Sequence, residues 1–409
     1  MTAQFRGTFR SLETRNFRLY LTGHFVSQAG NWSRMVAQSL LVLSLTENGV
    51  AVGVLAACQF GPLLVLGAWA GSVVDRIDKL LLLRAVQVVT SLVSFSLAAL
   101  TFAGDAPLGA LYALALAGGI GNAFENPARR SLVAELVPVT QVHNAVSLNT
   151  AATNLSQIIG PAFAGVLITT AGYAWCFVFD GCSYLFMTFM LSRLAVSEVS
   201  SPPRPGRAPG QVRAGLRYVL GVPELRTVLL MLLIVCSLAY NNFQVIFPLF
   251  VTRSLDGSEF HYTLLFSMLS IGSLAAVLVV AGQVTVSVRQ VIVTALIFGS
   301  SLMAMAAVPS IGLALATAVV VGAAAFSYLA SSNSLLQVKT DPAMRGRVLA
   351  LQAIVVVGGA PLGGPAVGAV AQVFGPRTAL VLGAASCWLA AGLGTRVRRA
   401  WNGAAGSQS

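Results

Sequence analysis

The sequence predicts an all-α membrane protein of about twelve transmembrane helices, arranged as two pseudo-symmetric six-helix bundles. Three observations lead there. The 409 residues are 56% apolar and only 9% charged, against roughly 25% charged residues in a soluble domain. Apolar runs of about 20 residues, the length that crosses a bilayer, follow one another with short links. The two halves also share matches at a common offset of 204 residues, Pro138 with Pro342 and Gly160-Pro161 with Gly364-Pro365.

The spans fall at 17–45, 50–74, 79–103, 107–126, 144–169, 173–195, 225–252, 260–284, 288–308, 310–336, 346–372 and 376–396. The first has no small-x-small cleavage site and carries Asn31 and Arg34, so it is not a removable leader. The sixth ends at one clear break. Ser197 to Gly210 is rich in proline, glycine and serine and reads as a linker. Val212 to Val222, with Arg213, Leu216, Arg217, Val219 and Leu220, has the pattern of an amphipathic helix lying on a membrane surface. The expected organisation is a bundle over 1–196, a linker with that helix over 197–224, a second bundle over 225–396 and a tail over 397–409. Arg18 and Arg226 stand at the start of the first span of each half.

The net charge of +12 raises nucleic acid as a partner, and its distribution argues against it. Arginines and lysines gather at the N-terminus, the second-to-third, fourth-to-fifth and central loops, and the tail. The opposite side receives only Arg253 and Arg377. This is the bias that orients membrane proteins; it places both termini in the cytoplasm and allows contact with anionic lipid. Cys58, Cys176, Cys182, Cys236 and Cys387 lie in apolar segments without metal-ligand spacing and read as small core residues. His24, His143 and His261 are scattered and read as structural or interfacial. There is no phosphate-binding Gly-x-x-x-x-Gly-Lys-Ser/Thr loop. No enzyme, cofactor, metal site or ATP drive is expected.

Between the second and third spans the chain reads Gly71-Ser-Val-Val-Asp75-Arg76-Ile-Asp-Lys79. Gly-x-x-x-Asp-Arg-x-x-Lys at that place resembles the signature loop of the major facilitator superfamily of secondary transporters. Asn16-Phe17-Arg18-Leu19, Asn126-Pro127-Ala128-Arg129-Arg130, Glu135-Leu136-Val137-Pro138, Asn144-Ala145 and Arg345-Gly346-Arg347-Val348 resemble one branch of it, the bacterial enterobactin-type siderophore exporters and macrolide efflux proteins. The second and third of these segments are expected to form the fourth-to-fifth loop. Gly160-Pro161-Ala-Phe-Ala-Gly165 is similar to the Gly-Pro-x-x-Gly-Gly motif of drug–proton antiporters, with Ala164 in place of one glycine; packing of small residues is the plainer reading. The proton-coupling arginine of that family's fourth helix has no counterpart in Leu111–Glu125, and the second copy of the signature loop, around Gly282–Gln290, lacks its Asp-Arg pair. The resemblance implies a multi-pass protein of the bacterial cytoplasmic membrane, two halves with a substrate site at their interface, and alternating access.

Candidate residues follow. Asp75 is expected to face the N-terminus of the eleventh span near Gly346, with Arg76 and Lys79 pairing Glu125 or Glu135 as a latch; a purely topogenic loop is the alternative. Arg34 and Asp180 are the charges placed well inside spans, where a charge costs about 2.5–3.5 kcal/mol and faces protein or water. A buried ion pair, a cavity cation with a proton site, or an interfacial carboxylate at Asp180 all remain open. Arg34, Asp180 and Glu125 are the coupling candidates. Gln28, Asn31 and Trp32, then Asn149, Thr153 and Gln157 on one helix face, then Tyr240, Asn241, Asn242 and Gln244, and finally Tyr328 and Asn333, supply amides and aromatics for a cavity; interhelical hydrogen bonding is the alternative role. Such a lining with one arginine suits an amphipathic organic molecule better than a bare ion. The expected function is proton-driven efflux of a small molecule such as a drug, siderophore or secondary metabolite by a monomer. An importer of the same fold and a non-transporting receptor or scaffold are the alternatives.

Overall fold

In the computed structural model, residues 10–74, 76–104, 106–195, 211–280, 287–342 and 344–406 are described. They form fourteen α-helices and no strand. Before the linker come α1 (Arg15–Thr46), α2 (Gly49–Val74), α3 (Lys79–Phe102), α4 (Leu108–Glu135), α5 (Val142–Ala171) and α6 (Tyr173–Ser192). After it come α7 (Gln211–Gly221), α8 (Pro223–Leu238), α9 (Phe243–Ser254), α10 (Glu259–Val280), α11 (Val288–Ala307), α12 (Ile311–Lys339), α13 (Arg345–Phe374) and α14 (Pro376–Gly406). Among the described residues, ten segments are long and apolar enough to cross a membrane. α1 falls outside that set because Arg15, Arg18, His24, Gln28, Asn31, Arg34 and Gln38 dilute it.

Helix ends follow local chemistry. Asp78 caps α3, its carboxylate accepting from the N–H groups of Leu80 (2.8 Å) and Leu81 (3.0 Å). Asn48 Oδ1 accepts from the Val50 N–H at 2.8 Å at the start of α2. Single glycines join α5 to α6 and α13 to α14: Gly172 has φ +92° and Gly375 φ +91°. That left-handed backbone is costly for a residue with a Cβ, so these two corresponding corners need glycine. Within the helices, serine and threonine hydroxyls donate to carbonyls one turn back, as Thr90 does to Val86 at 2.8 Å. This satisfies the hydroxyls where water is absent.

Three expected boundaries are wrong: the last span, read as 376–396 with a tail over 397–409, continues as α14 to Gly406, and two others lie inside the bundles. The fourth span, read as 107–126 and followed by a loop, continues as α4 to Glu135. Asn126–Arg130 is therefore helical. Pro127 breaks no packing there, and Glu125 and Arg129, one turn apart, pair across it at 3.0 Å. The connection shrinks to Leu136–Pro138 and a short 3-10 turn at Val139–Gln141. The seventh span, read as continuous over 225–252, is broken. α8 stops at Leu238, a 3-10 turn covers Tyr240–Asn242, and α9 restarts at Phe243. Side-chain amides take the carbonyls that the break frees. Asn242 Nδ2 donates to Ser237 O at 2.6 Å, and Asn241 Nδ2 to Cys236 O at 3.0 Å and to Val356 O of α13 at 2.6 Å. The glycines of α13 let it press against the break: a Cβ on Gly359 would lie 2.5 Å from the Cys236 carbonyl, and one on Gly363 would overlap that of Ser237.

The chain forms two compact units. One holds α1 up to Leu41 and the chain from Val65 through α6. The other holds Val42–Leu64 and α7–α14. The α1–α2 corner, expected in a first bundle over 1–196, groups with the second unit, as does α7. For the corner the reason is a glycine seam in the second unit. A Cβ on Gly53 would overlap the Gly364 carbonyl oxygen, and one on Gly368 would overlap that of Gly49. With no side chains between them, α2 and α13 meet backbone to backbone. The corner is also held by hydrogen bonds: Gly49 N–H to Gln372 Oε1 at 2.9 Å, Arg253 Nη1 to the same oxygen at 3.1 Å, and Arg253 Nη2 to the Glu47 carbonyl.

Candidate functional site

In the first unit, two glycine contacts bring α1 against α5 and α6. A Cβ on Gly30 would overlap Ser183 Oγ and lie 3.1 Å from the Asp180 Cα. One on Gly160 would meet Ala29 O and Trp32 Cβ at 2.7 Å. Arg34 is one turn beyond Gly30, so close helix approach delivers it to Asp180. Arg34 Nε lies 2.9 Å from Asp180 Oδ2; the two side chains are 7% and 0% exposed. Of the three arrangements open from sequence, the structure shows the buried pair. Ser94 of α3 donates to the same Oδ2 at 2.6 Å. The guanidinium also donates to Asn31 Oδ1 at 2.6 Å and Gln38 Oε1 at 3.3 Å. Gln38 Nε2 in turn donates to the Leu111 carbonyl of α4 at 3.2 Å. One ionic contact thus ties four helices. Asp180 Oδ1 is buried and accepts no hydrogen bond among the described residues. Removing such charges from water is costly unless each is paired and hydrogen-bonded. Here the arginine is hydrogen-bonded through Nη1 and Nη2, its Nε meeting Asp180 by ion contact alone, and the carboxylate is hydrogen-bonded on one oxygen only.

A second polar cluster surrounds Arg129. Its Nη1 donates to Glu125 Oε1 at 3.0 Å and Gln28 Oε1 at 3.3 Å, and its Nη2 to Asn126 Oδ1 at 3.0 Å. Asn126 Nδ2 donates to Asn122 Oδ1 at 2.7 Å. Glu125 therefore has its own arginine, and of the two acids expected to meet the signature loop it is Glu135 that does. Lys79 pairs with Glu135, joining the start of α3 to the end of α4. Gly71 is buried and Arg76 exposed. Asp75 lies outside the described residues, as do residues 281–286 of the second-half copy. Tyr20, buried and stacked on His24 at 5.6 Å, donates from its hydroxyl to Asn149 Oδ1 at 3.2 Å. His24 Nε2 is 3.0 Å from Thr153 Oγ1.

The amide candidates are thus largely engaged in interhelical or helix-capping bonds. Gln28 serves Arg129, Asn31 serves Arg34, and Asn149 serves Tyr20. Asn241 and Asn242 staple the broken span. Asn333 accepts from Gln337 Nε2 at 3.3 Å in its own helix. Gln157 is half-buried, and half-buried Tyr240 packs against Phe243 at 6.2 Å between ring centroids. Pro161 and Gly165 are buried with Gly160. The cysteine expectation needs one correction: Cys182 is exposed on α6 and Cys58 half-buried, because both lie off the faces their helices bury. Sequence reading missed Ser94, Gln38 and Asp78. Only Asp78, preceding an apolar run, carried a recognisable capping signal.

The family described as transmembrane secretion effector matches residues 6–407. The chain is 28% identical to the multidrug efflux pump Tap of Mycolicibacterium fortuitum, over 84% of this chain and 86% of that protein. It is 25% identical to the staphyloferrin A transporter of Staphylococcus aureus, over 64% of this chain and 66% of the relative, so the match spans just under two thirds of that protein's length. Among solved structures it resembles a bacterial homologue of the human lysosomal transporter Spinster, inward-facing and unoccupied (TM-score 0.73, 15% identity, covering 94% and 97% of the two chains). It also resembles a D-xylose–proton symporter (TM-score 0.71, 16% identity, 93% and 96%). At those identities the likeness is one of fold.

Proposed function

Because the chain belongs to the major facilitator superfamily of membrane transporters, within its transmembrane secretion effector family, we propose that it exports an amphipathic small molecule in exchange for protons. It is a transporter and not an enzyme. The observation that carries the coupling is the half-satisfied buried carboxylate of Asp180. Its Oδ2 is held by Arg34 and Ser94, and its Oδ1 is buried without a hydrogen bond. A proton taken up on Oδ1 makes the carboxyl neutral and removes the attraction that holds Arg34 to α6. The guanidinium stays solvated by Asn31 and Gln38 on its own helix, so it can turn away without being stranded. Changing one charge therefore loosens the joint between α1, α3 and α6. That is the kind of two-state element an alternating-access cycle requires.

Export is supported by the efflux relative that aligns along most of the chain. It is also supported by the Gly160-Pro161 contact of α5 on α1, which resembles the antiporter motif. The positive-inside charge pattern supports cytoplasmic termini and a bacterial cytoplasmic membrane.

The test uses everted membrane vesicles with an imposed pH gradient and a panel of fluorescent amphipathic compounds that are cationic, neutral or anionic. At least one compound is expected to accumulate in the vesicles, and a protonophore to abolish the accumulation. Asp180→Asn should remove the gradient dependence while the protein remains in the membrane. Energised movement only out of everted vesicles would replace export with import. Unchanged gradient dependence in Asp180→Asn would move coupling elsewhere.

A further inference from the structure

The segment α7 is not used by the transport reading. It is eleven residues long and packs beside α8 and α13. Its inner side is fixed. A Cβ on Gly215 would lie 3.1 Å from Arg347 Cβ and 3.3 Å from Leu351 Cδ1. Val219 is 2% exposed. The Tyr218 hydroxyl accepts the Asp341 N–H at 3.2 Å. Arg347 and Leu351 belong to the first two turns of α13, and Gly221 leads directly into α8. α7 is thereby pinned at the level where two membrane-spanning segments begin.

Its other side shows a different chemistry. Leu216 is 47% exposed and Leu220 54% exposed, one helical turn apart on one face. Arg217 next to Leu216 is exposed, and so are Arg226 in the first turn of α8 and Arg345 at the start of α13, the two helices against which α7 packs. Two acids lie near: Glu224, engaged by Lys339 at 3.4 Å, and the exposed Asp341 next to Tyr218, against the three exposed arginines. Two leucines that protein leaves uncovered therefore share the end of the second unit at which α8 and α13 begin with exposed arginines. The nearest apolar phase is the membrane itself, and the arginines match anionic headgroups.

We propose that α7 is a lipid-binding element: Leu216 and Leu220 enter the acyl boundary, and Arg217 and Arg226 select anionic phospholipid over zwitterionic phospholipid. This does not depend on what is transported or in which direction. It does need the helix to be held at a fixed depth, and the contacts of Gly215, Tyr218 and Val219 supply that.

The experiment uses the full chain in bilayer nanodiscs. Cys58 and Cys182 are changed to serine, the buried Cys176, Cys236 and Cys387 are kept, and a fluorophore is attached through Leu220→Cys or, separately, Leu216→Cys. Phosphatidylglycerol or phosphatidylcholine with brominated acyl chains is then included at equal mole fraction. Both positions should be quenched, and brominated phosphatidylglycerol should quench several-fold more efficiently. Combining Arg217→Gln with Arg226→Gln should reduce that preference towards unity, while Arg217→Lys with Arg226→Lys should retain it. Quenching by neither lipid would take the helix off the membrane and overturn the proposal. Equal quenching by both lipids in the otherwise unchanged chain would overturn the selectivity. A label at Leu216 quenched while one at Leu220 is not would overturn the shared membrane-facing side.

Discussion

At the scale of residues, Arg34 and Asp180 matter less for the attraction between them than for what either becomes alone. Breaking a buried pair by removing one partner costs about 3–5 kcal/mol, whereas replacing both with apolar residues is often neutral. Arg34→Met is therefore expected to lower the midpoint of thermal unfolding in detergent clearly. Arg34→Met combined with Asp180→Leu should recover most of that loss in the same assay. Additive losses would show that the two act independently. The pair was legible in sequence because lone charges in apolar runs are conspicuous. Ser94 was not: a serine in a membrane helix has a ready partner one turn back, as its 3.1 Å approach to the Thr90 carbonyl shows. Nothing local says that it also reaches α6.

At the scale of elements, the break between α8 and α9 was the feature least legible. Ala-Tyr-Asn-Asn inside an apolar run reads as a polar patch, and here that reading suggested a lining for substrate. The information that makes it a break lies more than a hundred residues away, in Gly359 and Gly363 of α13 and in the Val356 carbonyl. The extension of α4 was hidden for the opposite reason: Pro127 looks like a stop, yet the helix runs through it. Glycines give a direct check on the packing. Gly363→Ala places a methyl group on the Ser237 carbonyl and should severely reduce the yield of folded protein on size-exclusion chromatography. Gly392→Ala in α14 meets nothing within 4 Å. It should leave folding intact and raise stability slightly, since alanine is favoured over glycine in a helix by about 1 kcal/mol.

At the scale of the whole molecule, the helix order was legible because bilayer thickness imposes a length on every span; the linker expected over Ser197–Gly210 lies outside the described residues. Topology is correspondingly testable. Cysteines placed at Asp105 and Ser258 should react with an impermeant thiol reagent added to intact cells. One at Pro205 should react only after permeabilisation. Ser258 is exposed and suits the purpose, whereas its neighbour Gly257 is packed against Val251 and Ile311. Labelling of residue 205 from outside would invert the orientation.

The contact of Gly49 and Gly53 with Gly364 and Gly368 also bears on how the protein responds to heat. Side chains that interdigitate lose rotamer freedom, roughly 0.5–1 kcal/mol for each leucine or isoleucine, and regain it when they part. Glycines have none to regain. Parting this stretch of α2 from α13 would forfeit close dispersion and Cα–H to carbonyl contacts with little entropic refund from side chains. Its equilibrium would then be governed mainly by enthalpy, and by the van 't Hoff relation warming would favour the parted arrangement. A distance probe between residues 52 and 366, followed from cold to physiological temperature, should show the longer population growing steadily, well before the helices themselves melt.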